Sequence, residues 1–186
     1  CDTIMVSSVG EAAVSAVSLV DSINVLLINV FAALGTGGAV VAAQFIGQGS
    51  LEKARFSAKQ LLLITAILSL IIMGVILLFN TSILHLAFGN VDSGVMNNAE
   101  TFFLVSALSY PFIALYNSGA ALFRAIGNSK ISMITSAIMN VINIIFNTIF
   151  IFGLKLGVLG SGLATLIARM VCCIVILKCL TNKDNN

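Results

Sequence analysis

The sequence predicts an all-α, polytopic transmembrane helical bundle. Three observations carry this: charge is scarce, uncharged stretches are as long as a membrane is thick, and polar residues inside them recur at helical intervals. Asp, Glu, Lys and Arg make up 9% of the 186 residues and the AVILMFWYC class 59%, where a soluble domain carries roughly 25% charge. A water-facing surface cannot be assembled from that composition. Nearly uncharged runs extend from Ala12 to Leu51 (Asp21 alone intervening), Leu61 to Phe79, Thr101 to Phe123 and Ile131 to Leu154, and Val158 to Leu177 is interrupted only by Arg169. Each meets the roughly 20 residues needed to cross the hydrocarbon. Lipid offers backbone N–H and C=O groups no partner, so such runs must be helices with internally paired backbones. A strand barrel would need short alternating segments, and the sequence has none.

In chain order, residues 1–7 read as the outer end of a partial helix, closed by Ser7-Ser8-Val9-Gly10. The first residue is Cys1 rather than Met, with no basic leader, which suggests a portion of a longer protein. The next helix spans 11–47. At about 1.5 Å per residue it is roughly 54 Å long, so it must tilt, protrude or bend, and Gly35-Thr36-Gly37-Gly38 is the natural place for a bend. Helices follow over 55–80, 98–125, 130–153 and 157–181, joined by turn-forming connectors. That makes one partial and five complete spans within a single transmembrane domain, 1–186. Pro111 removes one backbone bond from the third complete span and predicts a kink.

The charges set the orientation. Lys53, Arg55, Lys59, Arg124, Lys130, Lys178 and Lys183 flank alternate connectors, whereas Lys155 alone lies on the other side, with Glu11, His85, Asp92 and Glu100. Seven basic residues against one place the basic connectors in the cytoplasm. A net charge of +2 gives no reason to expect a nucleic-acid partner. Soluble enzymes are excluded, since no nucleophile–base pair, phosphate loop or metal-ligand set is present. Cys172, Cys173 and Cys179 read as small hydrophobes in an apolar segment, and no cofactor is expected beyond a coupling ion.

The informative residues are the polar ones inside the spans. Ser132, Ser136, Asn140, Asn143 and Asn147 recur every three or four residues on one helix face, and that face cannot look at lipid. Ser161, Thr165 and Arg169 form a second stripe. Arg169 is mid-span, where a charge faces a cavity or a partner, and Asp21 is a candidate partner. Counted from the helix ends, Asp2, Asn147 and Thr165 all lie roughly 8–12 Å below the external edge, with Asn143 one turn deeper. One carboxylate, two amides and a hydroxyl at a common depth suit a small hard cation such as Na+. The same carboxylate could instead take a proton. Asp21, Asn140, Tyr110, Asn117 and Arg169 are candidate cavity-lining residues.

DTIMVSSVG with the Ser- and Ala-rich helix after it, AAQFIGQGSLEKA, LFRAIGNSKISM, NIIFNTIFIFG and GVLGSGLATLIAR, in register over essentially all of the chain, resemble the N-terminal half of MATE (multidrug and toxic compound extrusion) transporters. The resemblance implies one six-helix lobe of a two-lobe, twelve-helix antiporter that exports organic cations across the plasma membrane in exchange for Na+ or H+. It also implies a missing C-terminal lobe as partner, and a cation site at Asp2, Asn143, Asn147 and Thr165. Some members carry a second carboxylate where this chain has Asn147, which leaves sodium coupling and proton exchange at Asp2 both open. Two alternatives remain: a flippase of a related fold for lipid-linked precursors, and a non-transporting membrane scaffold whose polar stripes are interhelical glue.

Overall fold

The computed structural model describes residues 6–8 and 10–181, and five long helices dominate them. They are α1 (Glu11–Gly47), α2 (Leu51–Phe88), α3 (Ser93–Ala125), α4 (Ser129–Asn147) and α5 (Gly157–Thr181). Each, with α4 counted together with its continuation to Gly153, is long and apolar enough to cross a membrane, and no strand occurs among the described residues. The predicted partial helix 1–7 lies outside the described residues except for Val6 and Ser7, of which Val6 is fully buried.

Short connectors make successive helices antiparallel. At the end of α1 the Gly49 N–H reaches the Ile46 carbonyl at 2.9 Å and the Ser50 N–H reaches Phe45 at 2.9 Å. Closing that turn puts Gly49 at φ 72°, a left-handed conformation that glycine adopts without steric cost. Gly127, at φ 82°, does the same between α3 and α4. The basic residues around these two turns and Lys178 in the last turn of α5 therefore share one end of the bundle.

The helices sort by polarity in the reverse of a soluble protein. α3 is the least apolar span, with mean hydropathy 1.3 against 3.1 for α2, yet 61% of its spanning segment is buried against 22% for α2. Lipid is as apolar as leucine, so burial does not select for greasiness here; Ser106, Ser109 and Ser118 on α3 are what must be hidden. α3 sits at the centre, packed on α1, α2 and α5, around fully buried Phe102, Phe103, Tyr110 and Phe123. The outer face of α2 presents Leu63, Ile67, Leu70, Ile71 and Leu78 to the bilayer.

Three departures from the sequence pattern have physical causes. α1 is helical throughout, so the glycine run is not a break. It is where α3 comes close: a Cβ at Gly35 would lie 3.1 Å from the Ser118 Cα and 3.3 Å from the Asn117 carbonyl oxygen. A break in the helical dihedrals falls in α2 at Phe79 (φ −121°, ψ 23°). The next residue, Asn80, turns inward and donates to the Glu100 carbonyl oxygen of α3 at 3.0 Å. α2 then runs on to Phe88 rather than ending near 80, because Leu84 is fully buried beyond that break. Finally, the predicted helix 130–153 changes character after Asn147. Thr148–Gly153 is a π-helix, closed by a Leu154 N–H to Ile149 carbonyl bond of 2.9 Å.

Candidate cation site and intramembrane polar network

Along α4 the predicted polar face is graded. Ser132 and Asn147 are buried, Ser136 and Asn143 are half-buried, and Asn140 is exposed. Asn140 turns back on its own helix, its Nδ2 donating to the Ser136 carbonyl at 3.1 Å. Ser132 accepts from the Arg124 guanidinium at 3.1 Å, which pins the start of α4 to the end of α3. One face thus divides into an end tied to Arg124 and an end near the π turn that carries the candidate cation-site residues.

At the end near the π turn the structure brings three of the four predicted cation-site residues together. The Asn147 Nδ2 donates to the Asn143 Oδ1 at 3.0 Å, and the Asn143 Nδ2 donates across to the Thr165 Oγ1 of α5 at 3.1 Å. The relay is possible because residues four apart stack on one helix face. Asn147 is 0% exposed at the last α-helical position, and the wider π turn begins directly after it. Two amides and two hydroxyls, counting Ser161 one turn before Thr165, offer only neutral oxygen and nitrogen. The fourth predicted residue, Asp2, lies outside the described residues.

A second polar centre joins α1, α3 and α5. The Arg169 Nη1 donates to the Ser109 Oγ at 2.6 Å, and that hydroxyl donates in turn to the Ser106 carbonyl at 2.6 Å. The Tyr110 hydroxyl donates to the Asn24 Oδ1 at 2.5 Å. Asn24 also directs its Nδ2 at the Asp21 Oδ1, 3.4 Å away, and at the Ser106 Oγ, 3.5 Å away. Asp21 and Arg169 are thereby linked through Asn24, Ser106 and Ser109, all three buried, so the two intramembrane charges belong to one overall neutral network. Of the candidate cavity residues, Tyr110 is completely buried and serves this network. Asn117 is half-buried, its Nδ2 shielded without a hydrogen-bond partner, beside the α1–α3 approach at Gly35.

Sequence reasoning passed over Asn24, Ser106 and Ser109. The signal was present, since Asn24 follows Asp21 by three residues and Ser106 precedes Ser109 by three, but pairing them needs the α1–α3 contact. The shallow groove on α4 lined by Met133, Ile134, Ala137, Ile138, Val141 and Ile142 is apolar and carries no polar group to orient a ligand. No group of three or more His, Cys, Asp or Glu side chains that could hold a metal occurs among the described residues.

The family model described as MatE matches residues 1–149. The chain is 31% identical to the uncharacterized transporter YisQ of Bacillus subtilis over 175 residues, covering 91% of this chain and 38% of that protein. It is 30% identical to the multidrug export protein MepA of Staphylococcus saprophyticus over 158 residues, covering 85% of this chain and 35% of that protein. Among solved structures, a MATE protein in the bent conformation superposes with a TM-score of 0.93 at 26% identity, over 100% of this chain and 41% of that one. A MOP superfamily transporter from Pyrococcus furiosus, described for the reverse polarity of its binding pocket, gives 0.91 at 26% identity, over 100% and 40%. The chain spans well under half the length of the proteins it matches.

Proposed function

We propose, because the chain belongs to the MatE family, that it forms the N-terminal lobe of a twelve-helix secondary transporter. The complete protein exports organic cations across the plasma membrane by alternating access, coupled to inward movement of Na+ or H+. The observation that carries this reading is the Asn147–Asn143–Thr165 relay, which holds neutral donors together in a span where lipid would tolerate none singly. Asp2 supplies the carboxylate at this site, and the C-terminal lobe of the same polypeptide supplies the other wall of the cavity. The basic connectors lie in the cytoplasm.

Coupling requires that ion and cargo bind the two conformations unequally. α5 provides the link: Thr165 of the cation site and Arg169 of the neutral network stand one turn apart on it. Loading the site therefore acts on the contacts that tie α5 to α3 and, through Asn24, to α1. In the scaffold alternative every polar side chain would be glue, and it accounts poorly for the exposed Asn140 and for the buried, unpartnered Ser161 Oγ. The flippase alternative calls for a basic lumen, whereas Arg169 is offset by Asp21 within one network.

The test uses the full-length protein in proteoliposomes, with sodium and proton gradients imposed separately and efflux of a fluorescent cationic dye as readout. Asp2→Asn abolishes gradient-driven efflux. If that variant expelled dye as fast as the wild type, the proposal would fail.

A further inference from the structure

We propose that the Ser161 hydroxyl is a direct ligand of the coupling ion, a fourth neutral donor beside Asn143, Asn147 and Thr165, and that the ion it serves is dehydrated Na+. The inference rests on reading that cluster as the cation site. α4 and α5 are antiparallel, and the 3.1 Å bond fixes Asn143 opposite Thr165. Four residues onward along α4 is Asn147, and four residues back along α5 is Ser161. One helical turn from a contacting pair, taken in opposite chain directions, sets these two residues opposite each other.

The neighbours of Ser161 agree with that direction. A Cβ on Gly160 would meet Phe150 of the π turn at 3.0 Å, and a Cβ on Gly162 would meet Val105 of α3 at 3.0 Å. Successive helix residues are about 100° apart, so Ser161 points into the wedge between those two contacts, on the side where Thr165 meets Asn143. Its side chain is 0% exposed, and its Oγ is buried with no hydrogen-bond partner. A serine in a helix ordinarily discharges that cost by bonding the carbonyl one turn back, as Thr135 and Asn140 do in α4 and Thr148 does in the π turn after it. Ser161 does not. A buried hydroxyl held away from its own backbone and beside an amide cluster is one whose partner arrives with the ion.

The chemistry of the donors selects the ion. Amide and hydroxyl oxygens are hard donors that replace the water shell of a hard cation. They neither gain nor lose protons near neutral pH, so they have nothing to contribute to carrying H+.

The experiment measures Na+ response of the full-length protein in two ways: thermal midpoint against NaCl with choline as the balancing cation, and Na+-driven dye efflux from proteoliposomes. Ser161→Ala raises the apparent Na+ constant about tenfold, equivalent to about 1.4 kcal/mol. In choline alone its midpoint stays at the wild-type value or rises, because an unpartnered hydroxyl has been removed. Ser161→Cys keeps a side chain of similar shape but offers soft sulfur, and it loses Na+ affinity likewise. Absence of any Na+ response in the wild type overturns the cation-site reading together with this one. If Asn143→Ala abolishes the response while Ser161→Ala retains the wild-type constant, the Ser161 assignment alone falls. A lowered midpoint in choline with an unchanged Na+ constant would make Ser161 a packing residue and overturn the assignment.

Discussion

Replacing Tyr110 by Phe removes one oxygen from the centre of the bundle and leaves its packing in place. The ring is completely buried and Asn24, its partner, is 5% exposed, so no water can substitute for the lost bond. The Tyr110–Asn24 bond is 2.5 Å long, whereas the remaining contacts of Asn24, to Asp21 and Ser106, are at 3.4 and 3.5 Å. The Asn24 carbonyl oxygen thus loses its short partner. Interhelical hydrogen bonds in membrane proteins average about 0.6 kcal/mol and reach about 1.7. A short bond with both ends buried belongs at the upper end, so Tyr110→Phe costs about 1–2 kcal/mol. The tilted ring contact with Phe31, 6.3 Å between centroids, survives the substitution and contributes nothing to the loss. A double-mutant cycle with Asn24→Ala, read as reversible unfolding of the full-length protein in mixed micelles, isolates the pair. The expected coupling is about 1 kcal/mol, and single effects that add within about 0.3–0.5 kcal/mol would refute the network as an energetic unit.

Gly35→Val pushes α1 off α3, because the first added carbon already meets Ser118 backbone at 3.1 Å. It lowers stability by about 1–3 kcal/mol, while Gly37→Val, with nothing within 4 Å, leaves the thermal midpoint nearly unchanged. Arg169→Met breaks the 2.6 Å bond to Ser109 and costs about 1.5–3 kcal/mol. The Asp21→Asn, Arg169→Met pair recovers part of that loss by restoring neutrality, which the same midpoint measurement reads. In an otherwise cysteine-free full-length protein, a membrane-impermeant maleimide labels Gln48→Cys from the cytoplasmic side and Asn90→Cys from outside. Labelling with the sides exchanged would invert the orientation.

What was legible in the sequence was whatever depends on one helix at a time. Five spans follow from the run lengths between charges, since hydrocarbon thickness sets a minimum length that no neighbouring helix alters. The faces follow from the helical period and the depths from the rise per residue, which together with the family resemblance group Asn143, Asn147 and Thr165. The grading along α4 was beyond reach, since nothing within that helix says that Ser132 meets Arg124 and that Asn140 meets no other helix. The role of Gly35 was beyond reach for the same reason, because a glycine that relaxes a helix and a glycine that admits a neighbour look identical in one dimension.

The sequence by itself determined that the chain lives in a bilayer, how many times the described part can cross it, and which faces must avoid lipid. Composition and period are local quantities, and the membrane imposes the rest. Only the tertiary structure decided that the least apolar helix, α3, is the central one, that Asp21 and Arg169 join through Asn24, Ser106 and Ser109, and that the Ser161 hydroxyl is buried without a hydrogen-bond partner. Each of these depends on the register and rotation of one helix against another. Lipid, equally welcoming to every apolar face, leaves those two quantities to be fixed by close contacts between small residues and by hydrogen bonds between polar ones.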